Sequence, residues 1–296
     1  SMEDTMLMSY VLDAGKNRHN MDTLSEIHLN HKTISFKDLV GSGKKEINFS
    51  EVELNKAMEY AAEDADITYR LYKIFCKNLK LEKLTNVYEI FEKPLIEILA
   101  FMEIQGIKVD SKSLQNLSKK LEDKIKNLEK EIFKFSKKEF NIASPKQLGE
   151  IIYNELKITT LKKTRKGSFA TSASVLEDLS FRGHKFPQLI LDWRQVSKLK
   201  NTYSDSLREH INPKTKRVHT SFLLAATTTG RLASSDPNLQ NIPIKSEDGK
   251  EIRKAFIAEK NFTLISADYN QIEMRILADL ADVKDLKKAF ENNEDI

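Results

Sequence analysis

The clearest pattern of hydrophobic and polar positions lies in the middle of the chain and is typical of a long amphipathic helix. A 3.5-residue apolar repeat over three heptads predicts this helix, and Asp110 or Ser111 is placed to cap its start. A seam of this length needs a partner, so we expect either an antiparallel helix, from residues 145–156 or 186–210, or a dimer. The apolar positions are Leu114, Leu117, Leu121, Ile125, Leu128, Ile132 and Phe135.

Residues 3–80 show a helical pattern that is interrupted once. The interruption is a predicted loop at residues 38–48, where Gly41 and Gly43 favour a turn. After this loop, residues 54–79 predict one long helix.

The last third of the chain shows the strand-like patterns. Pro213-Lys214 predicts a turn, and a short strand is expected at residues 217–222. A second apolar run, residues 263–267, predicts a strand that ends at Asp268, with the small Ser266 and Ala267 packed beneath that carboxylate.

These patterns together predict an α+β fold that is predominantly helical. We expect three parts along the chain, with the strands in the last: residues 1–80, 81–210 and 211–296.

Composition narrows the function classes. Of 296 residues, 40% are hydrophobic, which is enough for real cores. The sequence has no apolar run near the length that a membrane span needs. Cys76 is the only cysteine, so an internal disulfide or a cysteine-rich metal site is excluded. A reducing cytoplasm is the expected compartment.

Charge is distributed unevenly. The net charge is only +4, but residues 108–170 hold sixteen Lys or Arg residues against eight Asp or Glu residues. A concentrated basic segment is expected of a protein that binds a phosphate backbone. The alternative is a lysine-rich, solvated helix, and charge alone does not separate the two.

Two parts of the basic segment are candidate phosphate contacts. Ser144 would cap a helix that begins at Pro145, and Lys146 lies beside the amides of that helix end. The following loop is predicted to contact phosphate through Lys162, Lys163, Arg165 and Lys166.

Tyr60 and Asp64 are four residues apart and therefore share one face of the predicted helix. A Tyr and an Asp at this spacing can hold a metal ion and orient water in a nuclease. An ordinary amphipathic helix is the more common source of the same spacing.

The candidate chemistry is concentrated in residues 227–278. A polar loop, TTTGRLASSDPNLQNIP, precedes LISADYNQIEMRILA. Every base pair presents an acceptor at nearly the same place in the minor groove, so donors there bind without reading sequence. Gly230 would let the backbone approach closely. The predicted donors are Arg231, Asn238, Gln240 and Asn241. Asp268 supplies a hard oxygen ligand of the kind that Mg²⁺ prefers.

These two segments resemble the DNA polymerase I family, the bacterial family A DNA polymerases. The resemblance implies that Arg231 touches the primer end and that Asp268 is the first catalytic, metal-binding Asp. It assigns Glu273 to the site under the incoming sugar, where it excludes a ribose 2′ hydroxyl. Tyr269 and Gln271 match nucleotide-site positions that pack or support the site, as does Arg275. Asp279 and Ala281 stand where the family usually has His and Ser.

The first part of the chain resembles the second half of a 3′–5′ proofreading exonuclease domain, through DTMLMSYVLDAGKNRHNMDTLSE and YAAEDADITYRLY. The family's third exonuclease motif falls on Tyr60 and Asp64. The other two motifs would precede Asp4, so an inactive exonuclease remnant is expected. Residues 81–210 resemble the polymerase thumb, which favours the antiparallel pairing of the long helix. Residues 211–296 resemble the first half of the polymerase palm, which implies antiparallel strands there.

The resemblance implies a monomeric fragment of a template-directed DNA polymerase, with primer-template DNA and dNTPs as partners and Mg²⁺ as cofactor. It implies roles in replication and repair in the bacterial cytoplasm, at the nucleoid. Because the match ends before a second catalytic Asp, we expect the 296 residues to be inactive alone. The alternatives are a non-catalytic duplex-DNA-binding module and, last, a 3′–5′ exonuclease.

Overall fold

The computed structural model of the protein describes residues 2–158, 170–244 and 246–294. They form two compact units, Ser1–Phe256 and Ile257–Ile296. The described chain is predominantly helical with a few short antiparallel strands, which confirms the predicted fold class. None of its helices combines the length and apolar content that crossing a bilayer requires.

The N-terminal helices pack around one apolar core. Leu7 and Met8 of the first helix meet Leu71 and Phe75 of the fourth, and all four side chains are buried. Asp4 caps the first helix by accepting hydrogen bonds from two backbone amides of its first turn. The helices are α1 (Thr5–Asp13), α2 (Met21–Leu29), α3 (Phe36–Val40) and α4 (Leu54–Leu81).

The predicted helix at residues 54–79 is confirmed, but the prediction of a single loop at 38–48 was wrong. Two further breaks come before it. One follows α1, where Gly15 has φ +88°, and the other follows α2, where Asn30 caps the helix in the left-handed conformation. The helix α3 itself occupies the start of the predicted loop.

Two short antiparallel sheets connect distant parts of the chain. Strand β1 (Ile107–Lys108) follows α5 (Lys93–Gln105) and pairs with β2 (Arg217–Val218). Strand β3 (Ser221–Leu223) pairs with β4 (Ala233–Ser235).

One continuous strand at residues 217–222 was predicted, and this was wrong because the chain changes partners between β2 and β3. The buried Thr220 marks the change, since its hydroxyl donates to the carbonyls of Ser235 and Pro237, at 3.0 and 2.8 Å. The predicted turn at Pro213-Lys214 is confirmed.

The long helix α6 (Ser111–Ser136) runs antiparallel to α9 (Lys185–Lys198) and the helical turns after it. Contacts from the two ends of α6 show the direction. Ser118 donates to Asp205 at 2.6 Å, and Trp193 donates to Glu129 at 3.1 Å. The antiparallel alternative of the sequence analysis is therefore confirmed, with residues 186–210 as the partner.

Asp110 caps α6 by accepting hydrogen bonds from the amides of Lys112 and Ser113, as predicted. Leu114, Leu121 and Ile132 of the seam are fully buried. Phe135, the last residue of the seam, is 39% exposed because it lies in the last turn of α6, against Phe186.

The remaining helices complete the first unit. Ser144 caps the helix that begins at Pro145, as predicted. Helix α9 contributes Leu189, Ile190 and Trp193 to one core with the helix at Ala173–Phe181. The helices are α7 (Pro145–Gly149), α8 (Ala173–Phe181), α10 (Ser206–Glu209) and α11 (Glu247–Lys254). Between α9 and α10, the turn Leu199–Asp205 is π-helical.

The second unit contains α12 (Ile272–Leu280) and α13 (Lys284–Glu291). The predicted strand at residues 263–267 was wrong. A β-strand requires a neighbour for its backbone N–H and C=O groups, and none of the described residues pairs with this segment. Ser266 and Ala267 are exposed and do not pack beneath Asp268.

Candidate nucleic-acid interface

The loop between β3 and β4 presents Arg231 on the surface. The hydroxyl of Thr227 donates to the carbonyl of Arg231 at 2.8 Å, which closes residues 227–231 into a compact turn. Gly230 lies within this turn with φ +76°. Apart from its chain neighbours, no described residue has a heavy atom within 4 Å of the position that a Cβ on Gly230 would occupy, so this glycine faces open space. Open space is compatible with the close backbone approach that the sequence predicts.

The polar residues after β4 also shape the loop itself. The side-chain oxygen of Asn238 accepts from the amide of Gln240 at 2.9 Å. The side-chain nitrogen of Gln240 donates to the carbonyl of Leu232 at 2.8 Å. The carbonyl of Asn241 accepts from the hydroxyl of Tyr203. Asn238, Gln240 and Asn241 are exposed, so their role as donors to DNA stays a prediction.

The loop is attached to the first helix of the chain, and the sequence analysis missed this contact. The hydroxyl of Tyr10 accepts from the amide of Gly230 at 3.0 Å. Leu224 and Ala225 pack against the core of the N-terminal helices. Local patterns carry no signal for a contact across 220 residues of sequence, so only the fold places Tyr10 here.

In the second unit, the motif around Asp268 forms an exposed segment followed by a helix. Asp268, Tyr269 and Glu273 are exposed, and Glu273 lies in the first turn of α12. A carboxylate there interacts favourably with the helix dipole. Gln271 begins the helix in the left-handed conformation, with φ 50°.

Arg275 supports this segment from within the second unit. Its Nε donates to the carbonyl of Asn270 at 3.0 Å, and its guanidinium lies 4.5 Å from the ring centre of Phe290 on α13. These contacts hold the segment after Asp268, and the role of Arg275 at a nucleotide site stays a prediction. Asp279, which departs from the family pattern, pairs with Lys287 at 3.2 Å.

Asp268 is suited to supply one ligand of a metal ion. Asp268 is an exposed carboxylate, and Mg²⁺ is commonly held by one or two carboxylates together with substrate phosphates. Among the described residues, no three His, Cys, Asp or Glu side chains group closely enough to hold a metal by themselves.

Tyr60 and Asp64 lie on one face of α4, as predicted. Burial raises the pKa of Tyr60, and the neighbouring carboxylate of Asp64 raises it further. The rings of Phe36 and Phe49 lie 6.1 and 6.2 Å from the Tyr60 ring. One oxygen of Asp64 is buried without a hydrogen-bond partner among the described residues, which suits a cation ligand.

The lysines of α6 and its end surround the apolar seam with positive charge. Some are paired: Lys124 contacts Asp248 at 2.7 Å, and Lys126 contacts Glu122 at 2.8 Å. Exposed positions are Lys112, Lys119, Lys120, Lys124, Lys126, Lys130, Lys134, Lys137 and Lys138.

Of the other predicted phosphate contacts, one lies among the described residues and four do not. Lys146 is exposed in α7, and its contact with phosphate stays a prediction. The predicted contacts Lys162, Lys163, Arg165 and Lys166 lie outside the described residues.

Two other cationic side chains of this region are bonded within the protein. Arg194 donates to the carbonyl of Thr171 at 2.7 Å, and burial lowers the pKa of its guanidinium. Lys200 pairs with Asp205 at 2.7 Å.

Comparison with known families matches nearly the whole chain. The model of DNA polymerase family A matches residues 111–296, and the 3'-5' exonuclease model matches residues 1–80.

Individual proteins give the same result. DNA polymerase I of Rhizobium leguminosarum is 51% identical over 100% of this chain and 29% of that protein. DNA polymerase I of Pseudomonas aeruginosa is 45% identical over 99% of this chain and 32% of that protein. The chain thus spans less than a third of the length of these two relatives.

A solved structure has a similar fold. It is the POL domain of Pol1 from M. smegmatis, in complex with DNA primer-template and dNTP. The TM-score is 0.82 at 31% sequence identity, over 99% of this chain and 48% of that chain.

Proposed function

The chain belongs to DNA polymerase family A, and from that premise we propose that it holds primer-template DNA and an incoming dNTP for template-directed DNA synthesis. The observation that carries this proposal is the presentation of Arg231, exposed on a turn that Thr227 and Gly230 shape. The solved M. smegmatis relative is bound to DNA primer-template and dNTP, which supports the same partners here.

Arg231 is proposed to donate to the minor groove at the primer end. Each base pair presents an acceptor there, so a guanidinium binds every correct pair alike. The amide groups of Asn238, Gln240 and Asn241 extend this surface. Internal hydrogen bonds of Asn238 and Gln240 reduce the freedom of the loop before DNA arrives, which lowers the entropic cost of binding.

Asp268 is proposed to hold Mg²⁺ together with the phosphates of the nucleotide. Family A DNA polymerases depend on metal ions, and a bound ion would help to activate the primer hydroxyl and neutralise the leaving group. Tyr269, Gln271 and Glu273 are proposed to contact the nucleotide, with Glu273 below the sugar. Tyr269 and Glu273 are exposed in this structure, which leaves them accessible to such a ligand, and Gln271 is half-buried beside them.

The exposed lysines of α6 are proposed to contact the phosphate backbone of the duplex, together with Lys146. Phosphate contacts position a protein on DNA without selecting its sequence, as a polymerase requires. We also propose that the protein acts as a monomer in the bacterial cytoplasm, at the nucleoid. The apolar seam of α6 supports this, because α9 and the following turns cover it within one chain.

Replacement of Arg231 tests the binding part of the proposal. Arg231→Ala should weaken binding to a primer-template duplex roughly ten- to a hundredfold, since a charge-assisted hydrogen bond contributes about 1.5–3 kcal/mol and about 1.4 kcal/mol is a factor of ten. The loss should be the same for two duplexes of different sequence. Fluorescence anisotropy of a labelled primer-template, at fixed salt, measures both affinities.

Arg70→Ala is the matched control, because it removes the same charge from an exposed position on α4. It should leave the affinity unchanged. A loss that differs between the two duplex sequences would contradict the minor-groove assignment, and equal affinities of Arg231→Ala and wild type would contradict the proposed role of the loop.

A gel assay addresses the chemistry of the 296 residues directly. A 5′-labelled primer, annealed to a longer template, is incubated with the chain, Mg²⁺ and four dNTPs. A longer primer that is lost in Asp268→Asn would assign transfer to this carboxylate. An unchanged primer with intact DNA binding would limit the chain by itself to holding DNA, and a shorter primer would favour 3′–5′ exonuclease activity.

A further inference from the structure

The loop that carries Arg231 rests on α1 and on the turn that follows it. The amide of Gly230, the residue before Arg231, donates to the hydroxyl of Tyr10 at 3.0 Å. This bond holds the backbone at the point where the arginine side chain leaves the loop. Tyr10 belongs to the segment that matches the exonuclease model, whereas Gly230 belongs to the segment that matches the polymerase family.

A second contact joins the same two segments. Gly15 lies in the turn after α1, and a Cβ at this position would lie 2.9 Å from the Cγ2 atom of Thr228. Its φ of +88° is also a conformation that side-chain-bearing residues rarely adopt. Thr228 therefore packs closely on a turn that only glycine fits, two residues before Gly230.

Tyr10 is itself held firmly from its own side. The side chain is 4% exposed, and its ring meets the ring of His19 edge-on at 5.5 Å. His19 is in turn hydrogen-bonded through Nδ1 to the hydroxyl of Ser9 at 2.9 Å. The tyrosine hydroxyl is thus a fixed point to which an otherwise exposed loop is bound.

We propose that Tyr10 is a positioning residue for Arg231, which it orients toward primer DNA by holding the amide of Gly230. The proposal rests on the proposed function of Arg231. It assigns to residues 1–80 a role in DNA binding by the polymerase segment that requires no nuclease chemistry. The fixed hydroxyl restricts the directions in which Arg231 can point before DNA binds, and such preorganisation strengthens binding.

Tyr10→Phe is the direct test, because it removes the hydroxyl and keeps the buried ring. Gly230 is exposed, so water replaces the missing acceptor and the fold is retained. We expect the affinity for a primer-template duplex to fall roughly three- to tenfold, as for one hydrogen bond. Tyr69→Phe, on the exposed face of α4, removes the same atom elsewhere and should leave the affinity unchanged.

A double-mutant cycle separates positioning from general damage to the fold. If Tyr10 acts through Arg231, Tyr10→Phe should cause no further loss in the Arg231→Ala background. Thermal unfolding of each variant establishes that the anisotropy titrations are made on folded protein. A merely structural role would lower the affinity by the same factor in both backgrounds.

The outcomes distinguish the two proposals. If Arg231→Ala binds as wild type does, the proposed function of the loop fails. If Arg231→Ala binds weakly but Tyr10→Phe binds as wild type does, only the positioning role fails. Additive losses in the double variant would likewise overturn positioning, and a loss confined to the wild-type background would support it.

Discussion

Asp205 shows how burial and hydrogen bonding compete at a single residue. Burial alone would raise the pKa of its carboxyl, but hydrogen bonds from Lys200 and Ser118, at 2.7 and 2.6 Å, outweigh burial and lower it. A group whose pKa is lowered by folding stabilises the fold above the pKa of the unfolded chain. That contribution is lost as the pH falls through the lower, folded pKa.

Asp205→Asn should therefore lower the free energy of unfolding at pH 7 by about 1 kcal/mol, after allowance for partial exposure. The difference from wild type should shrink below about pH 4, where this carboxyl begins to be protonated in the unfolded chain. Urea unfolding at pH 7, 5 and 3 measures it. Asp178→Asn, in an exposed pair with Arg182, is the control, with an expected change within about 0.5 kcal/mol. A difference as large at pH 3 as at pH 7 would contradict this account.

For the residues of the loop between β3 and β4 and just after it, the sequence predicted hydrogen-bond donors but not the groups that each of them contacts. The spacing and amide groups of Asn238 and Gln240 predict donors, and both side chains also bond within their own loop. Tyr10 could not be found in this way, because its partner Gly230 is brought near only by the fold. Whether the amides contact DNA stays a prediction.

Helix α6 is the element that the sequence predicted best, because one strong apolar period fixes both its existence and its buried face. Its cap at Asp110 also follows the sequence, whereas the pattern left its partner open between an antiparallel helix and a second copy. The short strands were predicted less well. Residues 217–222 and 263–267 have suitable side chains, but a strand exists only where a distant backbone supplies hydrogen bonds. No local pattern identifies that partner.

The charged surface of α6 gives a test of its role in DNA binding. Changing Lys119, Lys120 and Lys130 to Gln should flatten the dependence of log affinity on log salt by up to about 0.9 for each phosphate that the protein no longer neutralises. Anisotropy titrations over a range of salt concentrations measure the slope. Neutralising Lys73, Lys77 and Lys80, exposed lysines of α4, is the control for net charge. Equal slopes for the two triple variants would place α6 away from the phosphates.

For the whole molecule, the structure resolves two units where the sequence predicted three parts, with a boundary after Phe256. The predicted boundaries near residues 80 and 210 have no counterpart in this division and stay predictions. A boundary between compact units falls where few contacts cross the chain. The pairing of β1 with β2 joins the second predicted part to the third, so no boundary falls between them. Pairing across a sequence boundary cannot be seen in composition or charge.

The chain between Phe256 and α12 should be the site of early proteolysis. Residues 257–271 form no helix or strand, and Lys260 is exposed. Backbone of this kind is the preferred target of proteases. Brief treatment with trypsin should release a product that ends at Lys260, identified by its mass, and Lys260→Gln should abolish that product. Survival of this bond until the whole protein unfolds would contradict the expectation.

Two polar pairs join α6 to α9 and to the π-helical turn after it. They determine a unique alignment of two surfaces whose apolar positions repeat along the helices. An apolar seam of heptads can slide by one repeat, about 10 Å, and still set apolar side chains opposite one another. Ser118 with Asp205 and Glu129 with Trp193 meet in only one of these arrangements. A slipped helix would leave four polar groups unmatched, each at a cost of about 1–3 kcal/mol where buried. The apolar residues thus decide that the helices associate, and the polar ones decide where each begins and ends against the other.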